Sequence, residues 1–185
     1  MHLSYAQIKK RRRGSVSLDD AFEAVAPKIR DAAQQVAAQL ESLGVRYALA
    51  GGLAVGAHGY ARATTDVDFF VGDEAFERHG QLVTFRPGIP IQVGGVTIDY
   101  LSPAGLASFM EEALDRPVRS GGLPIVPLEA LIAMKLIAGR RRDLSDVVEL
   151  LKRVANEEPI RSYLRTHAED LLPEFESLLR EAGQE

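Results

Sequence analysis

The sequence predicts an α/β (α+β) fold, a small mixed sheet flanked by helices and followed by a helical subdomain. Up to Pro127, short apolar runs with the two-residue period of strands alternate with helical spacing; beyond Pro127 every apolar pattern has the helical period. The composition agrees: 185 residues at 46% hydrophobic and 26% charged can build one core without disulfides or a structural metal. The expected plan is a basic lead-in over 1–16, an α/β core over 17–126 and a helical subdomain over 127–185.

Each element has a local reason. Gly14 ends the lead-in, and Ser17 offers an N-cap with Asp20 three residues on. Phe22, Val25, Ile29, Ala32, Val36 and Leu40 keep helical spacing up to Gly44, and Pro27 divides that stretch into a short helix and a longer one. A strand over 46–50 runs into Gly51-Gly52, and 53–60 suits a short helix. Residues 66–71 read as a strand and 73–79 as a short helix. The alternation over 81–101 is strand-like and clearest at 96–101. A helix near 103–114 and a strand at 124–126 follow. Helices are expected over 127–139, 142–154 and 158–171, with a last one from Pro173 to about 181.

Composition also excludes chemistry. With no cysteine, disulfide scaffolds, zinc ribbons, iron–sulfur sites and thiol catalysis all fall away, and a reducing, cytoplasmic setting fits. The four histidines make no zinc spacing. At net charge −4 the chain is no polyanion-coating protein, so nucleic acid would have to meet one of two local clusters, 9–13 or 140–142. No apolar run approaches the roughly 18 residues of a membrane span, and no apolar segment follows the basic N-terminal residues as in a signal peptide.

The chemistry points to three acids. In Asp66-Val67-Asp68 the strand period sends both carboxylates to one face and Val67 to the other. Such a pair repels unless a cation neutralises it, and carboxylates plus substrate phosphates suit Mg²⁺. A solvent-facing strand edge would explain the pair equally well. Asp99, between Ile98 and Tyr100, is a third acid in an apolar strand. Three strand carboxylates are what a two-metal phosphoryl-transfer site uses, one of them also accepting the proton of an attacking hydroxyl.

Secondary candidates surround them. Gly51 and Gly52 end a strand and open a helix, where backbone N–H groups can approach a phosphate. Lys135 lies on the stripe of an almost wholly apolar helix, as an anion-reaching head group or a snorkelling side chain, and loss of its charge is expected to cost the fold little. Asp143 reads as a first-turn cap. Asp146, bordering a packed face, can orient Lys135 or an arginine. Arg62 either meets a phosphate, clamps Asp66 or is solvated, and His58 satisfies a carbonyl at a helix end.

The run from Gly51-Gly52-Leu53-Ala54 through His58, Arg62 and Thr64 to Asp66-Val67-Asp68 resembles the first motif of AbiEii-type nucleotidyltransferase-fold proteins, toxin components of bacterial toxin–antitoxin and phage-abortive systems. These are distantly similar to aminoglycoside nucleotidyltransferases. Asp99 matches the third carboxylate, and Lys135 with Arg142-Asp143 and Asp146 matches the C-terminal motif. The resemblance covers roughly residues 46–152, with glycine-glycine where the polymerase-like branch has glycine-serine. It implies a nucleotidyltransferase-like fold and transfer of a nucleoside monophosphate from an NTP to a hydroxyl. Asp66, Asp68 and Asp99 would hold Mg²⁺, with Mn²⁺ as the substitute, and Lys135 would join them in catalysis. Gly51, Gly52, Arg62, Thr64, Lys135 and Asp146 would bind the nucleotide. The acceptor would be RNA, tRNA in the toxin branch, and an antitoxin protein would be a partner. A small-molecule transferase with the same acids, and a non-catalytic binding or regulatory protein lacking one of them, are the competing classes.

Overall fold

The computed structural model describes residues 16–77 and 91–184, so the expected lead-in, apart from Val16, and the proposed strand pattern over 81–90 lie outside the described residues. Helix α1 (Leu18–Glu23) starts where Ser17 caps it, its hydroxyl accepting from the Asp20 N–H. Pro27 opens α2 (Pro27–Ser42), whose buried stripe of Ile29, Ala32, Val36 and Leu40 lies against the sheet. Strand β1 (Tyr47–Leu49), helix α3 (Gly51–Ala57), strand β2 (Asp66–Val71) and a single turn α4 (Glu74–Glu77) follow.

Strands β3 (Ile91–Val93) and β4 (Val96–Leu101) form a hairpin, as do β5 (Val118–Ser120) and β6 (Leu123–Ile125). Each turn is a pair of glycines, Gly94-Gly95 and Gly121-Gly122, and all four have positive φ, as two-residue hairpin turns with a matching twist require. The second hairpin replaces the lone strand expected at 124–126. The segment 103–114 is not the helix its apolar spacing suggested. It makes two 3₁₀ turns (Pro103–Gly105 and Ser108–Glu111) and then the one-turn helix α5 (Glu112–Asp115), since proline, glycine and serine so close together disfavour a longer helix.

The six strands form one mixed sheet in the order β3-β4-β2-β1-β6-β5. β2 pairs parallel with β4 and antiparallel with β1, and β1 pairs parallel with β6. After the sheet come α6 (Leu128–Ala138), α7 (Arg141–Leu151), α8 (Glu158–His167) and α9 (Leu172–Gln184) in chain order. Gly139, left-handed at φ 61°, ends α6 and lets α7 fold back beside it. The buried residues of the sheet and of these helices form one continuous core. Among the described residues, no helix is long and apolar enough to cross a membrane.

Candidate functional site

Strand period and register assemble the acids. In the parallel β2–β4 ladder Asp66 is opposite Thr97 and Asp68 opposite Asp99, so Asp66, Asp68 and Asp99 leave the same face while Val67 and Ile98 enter the core behind. That face lines a cavity of about 480 Å³, within the usual range of ligand pockets. Gly51, Gly52, Arg62, Thr64 and Lys135 line the same cavity. Of the residues expected at the metal and nucleotide sites, Asp146 stays outside it, 1% exposed and bonded to Arg62 and Lys135.

The glycine pair does something other than wait for a phosphate. The Gly52 N–H donates to the Asp68 carboxylate, so the first turn of α3 already holds an anion of the chain itself. Gly51 has φ 52°, and a Cβ there would fall 1.6 Å from Asp68 Oδ2. A Cβ on Gly52 would fall 2.8 Å from Thr64 Oγ1. Both positions are therefore glycine because the sheet carboxylate and the threonine press against them. Thr64 in turn donates its hydroxyl to Asp66 Oδ1.

Burial pushes the Asp68 carboxyl up to about 6, and the charges of Asp66 and Asp99 add to the shift; Lys135 and the Gly52 amide oppose it only in part. Asp99 is also raised, by burial first and Asp66 second. The cluster thus carries negative charge that the protein leaves under-compensated. Among the described residues no three metal-ligating side chains stand together as a ready-made cage. Mg²⁺ does not ask for one: it takes one or two carboxylates and completes its shell with water and substrate phosphates. Oxygen donors with raised pKa values, sharing a face beside a cavity, fit such an ion.

Lining the same cavity is a charge network built on two buried acids. Arg62 grips Asp146 with Nε and Nη2, each at 2.7 Å. Lys135 Nζ reaches Asp143 at 2.7 Å and Asp146 at 2.9 Å, and Arg140 Nε reaches Asp143 at 2.6 Å. Lys135 is 7% exposed and Asp143 3%. Burial opposes the charge on both acids, but the hydrogen bonds from their cationic partners outweigh it, and both carboxyls lie below the usual range. Asp143 is therefore no cap; it lines the cavity and fixes Lys135. Its sequence signal is the lone lysine of an apolar helix followed, across a helix-ending glycine, by an acid in the next first turn. The Arg140–Arg142 cluster also belongs here: Arg140 and Arg142 line the cavity, and Arg142 donates to the Ala63 carbonyl at 3.1 Å.

His58 is placed elsewhere. Its Nε2 lies 2.8 Å from the Val126 carbonyl, where it serves as donor and ties the end of α3 to the start of α6. Burial lowers its pKa more than that bond and Glu129 raise it, so the ring stays neutral.

Among solved structures the chain is similar to the crystal structure of an antigenic nucleotidyltransferase-like protein from Paracoccidioides brasiliensis, at 19% identity over 84% of this chain and 93% of that one, with a TM-score of 0.51. The chain has a nucleotidyltransferase-like fold. No family model matches it, and no curated protein matches it. In this nucleotidyltransferase-like fold the acids sit on the sheet, and the Lys135 helix lines the same cavity.

Proposed function

We propose that the chain transfers a nucleoside monophosphate from an NTP to an acceptor hydroxyl. The acceptor oxygen bonds to the α-phosphorus, the bond to the β-phosphate oxygen breaks, and pyrophosphate leaves with the electron pair. The observation that carries this reading is the register that puts Asp66, Asp68 and Asp99 on one face of one cavity. Asp66, Asp68 and Asp99 would hold Mg²⁺ or, in its place, Mn²⁺, one or two carboxylates to an ion, and the bound ion supplies charge neutralisation at the phosphates. Asp99, the third carboxylate of the cluster, would accept the hydroxyl proton. Lys135, Arg62 and Arg140, held by Asp143 and Asp146, present fixed positive charge to the triphosphate and need no rearrangement as the reaction proceeds.

The AbiEii-type motif supports RNA as the acceptor, tRNA first, and a toxin's antitoxin as the protein partner. Arg140 and Arg142 at the cavity agree with a polyanionic acceptor. The test is incubation with each NTP labelled at the α-phosphate, Mg²⁺ and total RNA. Label on RNA that disappears in Asp68→Asn supports the reading. Label on no acceptor, whether RNA, protein or small molecule, overturns it.

A further inference from the structure

The segment that leads from α3 into β2 has no regular structure, yet its burial is regular. Tyr60, Arg62 and Thr64 turn inward, while Ala61, Ala63 and Thr65 are exposed. That is the two-residue period of an extended chain, so one side of the segment carries a tyrosine, an arginine and a threonine in series. Arg62 and Thr64 line the cavity, and Thr64 donates to Asp66 at the start of β2. A slip of one residue at Tyr60 would turn Arg62 and Thr64 outward.

Helix α7 holds this segment along one face. Arg142 donates to the Ala63 carbonyl at 3.1 Å, and Asp146, one turn on, accepts both Arg62 bonds at 2.7 Å. Two turns further, in the turn that closes α7, the Arg153 guanidinium lies over the Tyr60 ring, 5.7 Å from its centre. A Cβ on Gly59 would fall 3.3 Å from Arg153 Cδ, so the arginine stem rests against the backbone where the segment leaves α3. Among the described residues no carboxylate pairs with Arg153, so its charge is directed to the ring.

We propose that Arg153 and Tyr60 are positioning residues, a latch outside the cavity that sets the register of Arg62 and Thr64 within it. The inference rests on the nucleotidyl-transfer reading for what the cavity binds, and adds a pair of residues that act without touching the substrate. The Asp146 fork fixes the Arg62 head group but not the backbone at the other end of that long side chain. The latch fixes that backbone two residues upstream, beside the Tyr60 N–H, which itself donates to the Val55 carbonyl at 3.1 Å. Through Thr64 the same register reaches Asp66.

The experiment uses the full chain and two readouts. One is the rate of tryptic cleavage after Arg62 without ligand, which follows the open population of the segment, with cleavage after Arg165 on α8 as the measure of global opening. The other is calorimetric binding of the Mg²⁺ complexes of ATP and of inorganic tripolyphosphate. Arg153→Met keeps the stem on Gly59 and removes the charge; Tyr60→Leu removes the ring. An exposed cation–ring pair is worth a factor of about two to five, so each variant should speed cleavage after Arg62 and weaken both ligands by that factor. Cleavage after Arg165 should not change. The double variant should be no worse than the worse single one, because both break one contact. Tyr60→Phe keeps the ring and should behave as wild type. Additive effects, or an Arg153→Met variant with unchanged cleavage and affinity, would overturn the latch. Cleavage that rises equally after Arg62 and Arg165 would also overturn it, since the pair would then serve stability alone. Failure of wild type to bind either ligand would overturn the nucleotidyl-transfer reading; the latch would then stand on faster cleavage confined to Arg62, and fall without it.

Discussion

Asp68 and Asp99 are direct register partners in the β2–β4 ladder, one carboxylate facing the other across a single inter-strand step. Neighbouring strands lie about 4.8 Å apart, so two like charges fixed there strain the fold whenever both are ionised.

That strain can be read out at Asp68. A carboxyl raised to about 6 from an ordinary 3.8 binds its proton more tightly in the folded state, so its ionised form costs stability above pH 6 and costs nothing below about 4. Asp68→Asn should therefore be more stable than wild type at pH 7.5, by up to about 3 kcal/mol, and the gain should shrink to nothing as pH falls from 6 to 4. Melting temperatures across that range check it. The same variant should lose transfer activity by several orders of magnitude.

Lys135 behaves oppositely, and the expectation that its loss costs little is overturned by its partners. Asp143 and Asp146 would keep only Arg140 and Arg62, respectively, in a buried setting. Lys135→Ala should destabilise the protein by about 3 kcal/mol, near the low end for breaking a buried pair because the arginines remain. Denaturant unfolding measures this. Adding Asp143→Asn should recover part of the loss.

His58 gives a third test. A neutral, buried ring whose pKa is lowered resists protonation that the unfolded chain accepts near 6.5, so its contribution is lost as pH falls below that value. His58→Gln keeps a donor for Val126 and cannot protonate. It should lose less stability than wild type between pH 7 and pH 5. His58→Leu leaves the fully buried Val126 without that donor to its carbonyl and should cost about 1–3 kcal/mol at pH 7.5.

Gly51→Ala combines a left-handed φ with a methyl inside the Asp68 carboxylate. It should cost more than about 2 kcal/mol and displace Asp68 from the Gly52 amide. Loss of the pH-dependent difference between this variant and its Asp68→Asn double variant would mark the displacement.

Much of this was legible in the sequence because strand period and glycine punctuation are local. The Asp66-Val67-Asp68 strand, the split at Pro27 and the helices after Pro127 are matters of spacing within a dozen residues. The β2–β4 register, by contrast, is fixed by pairing far along the chain, and no local pattern says that Asp99 meets Asp68 and not Asp66. The β5–β6 hairpin had a signal, Ser120-Gly-Gly-Leu123, that apolar periodicity alone overlooks. The roles of Asp143 and Asp146 needed the fold-back of α7 on α6, which brings cations from three segments to two acids.

The parallel pairing of Leu49 with Ile125 has a bearing on how the molecule comes into being. β6 leads directly into α6, so the helix bearing Lys135 is tied to the sheet through a pairing between positions 49 and 125. Loop closure of that length precedes any reward from the contact, and topologies dominated by such pairings fold slowly. On the ribosome the acids of β2 and β4 emerge well before α6 and α7. A nascent chain has the three sheet acids and Arg62 long before it has Lys135 and Arg140, and the charge network is complete only once α7 has been made.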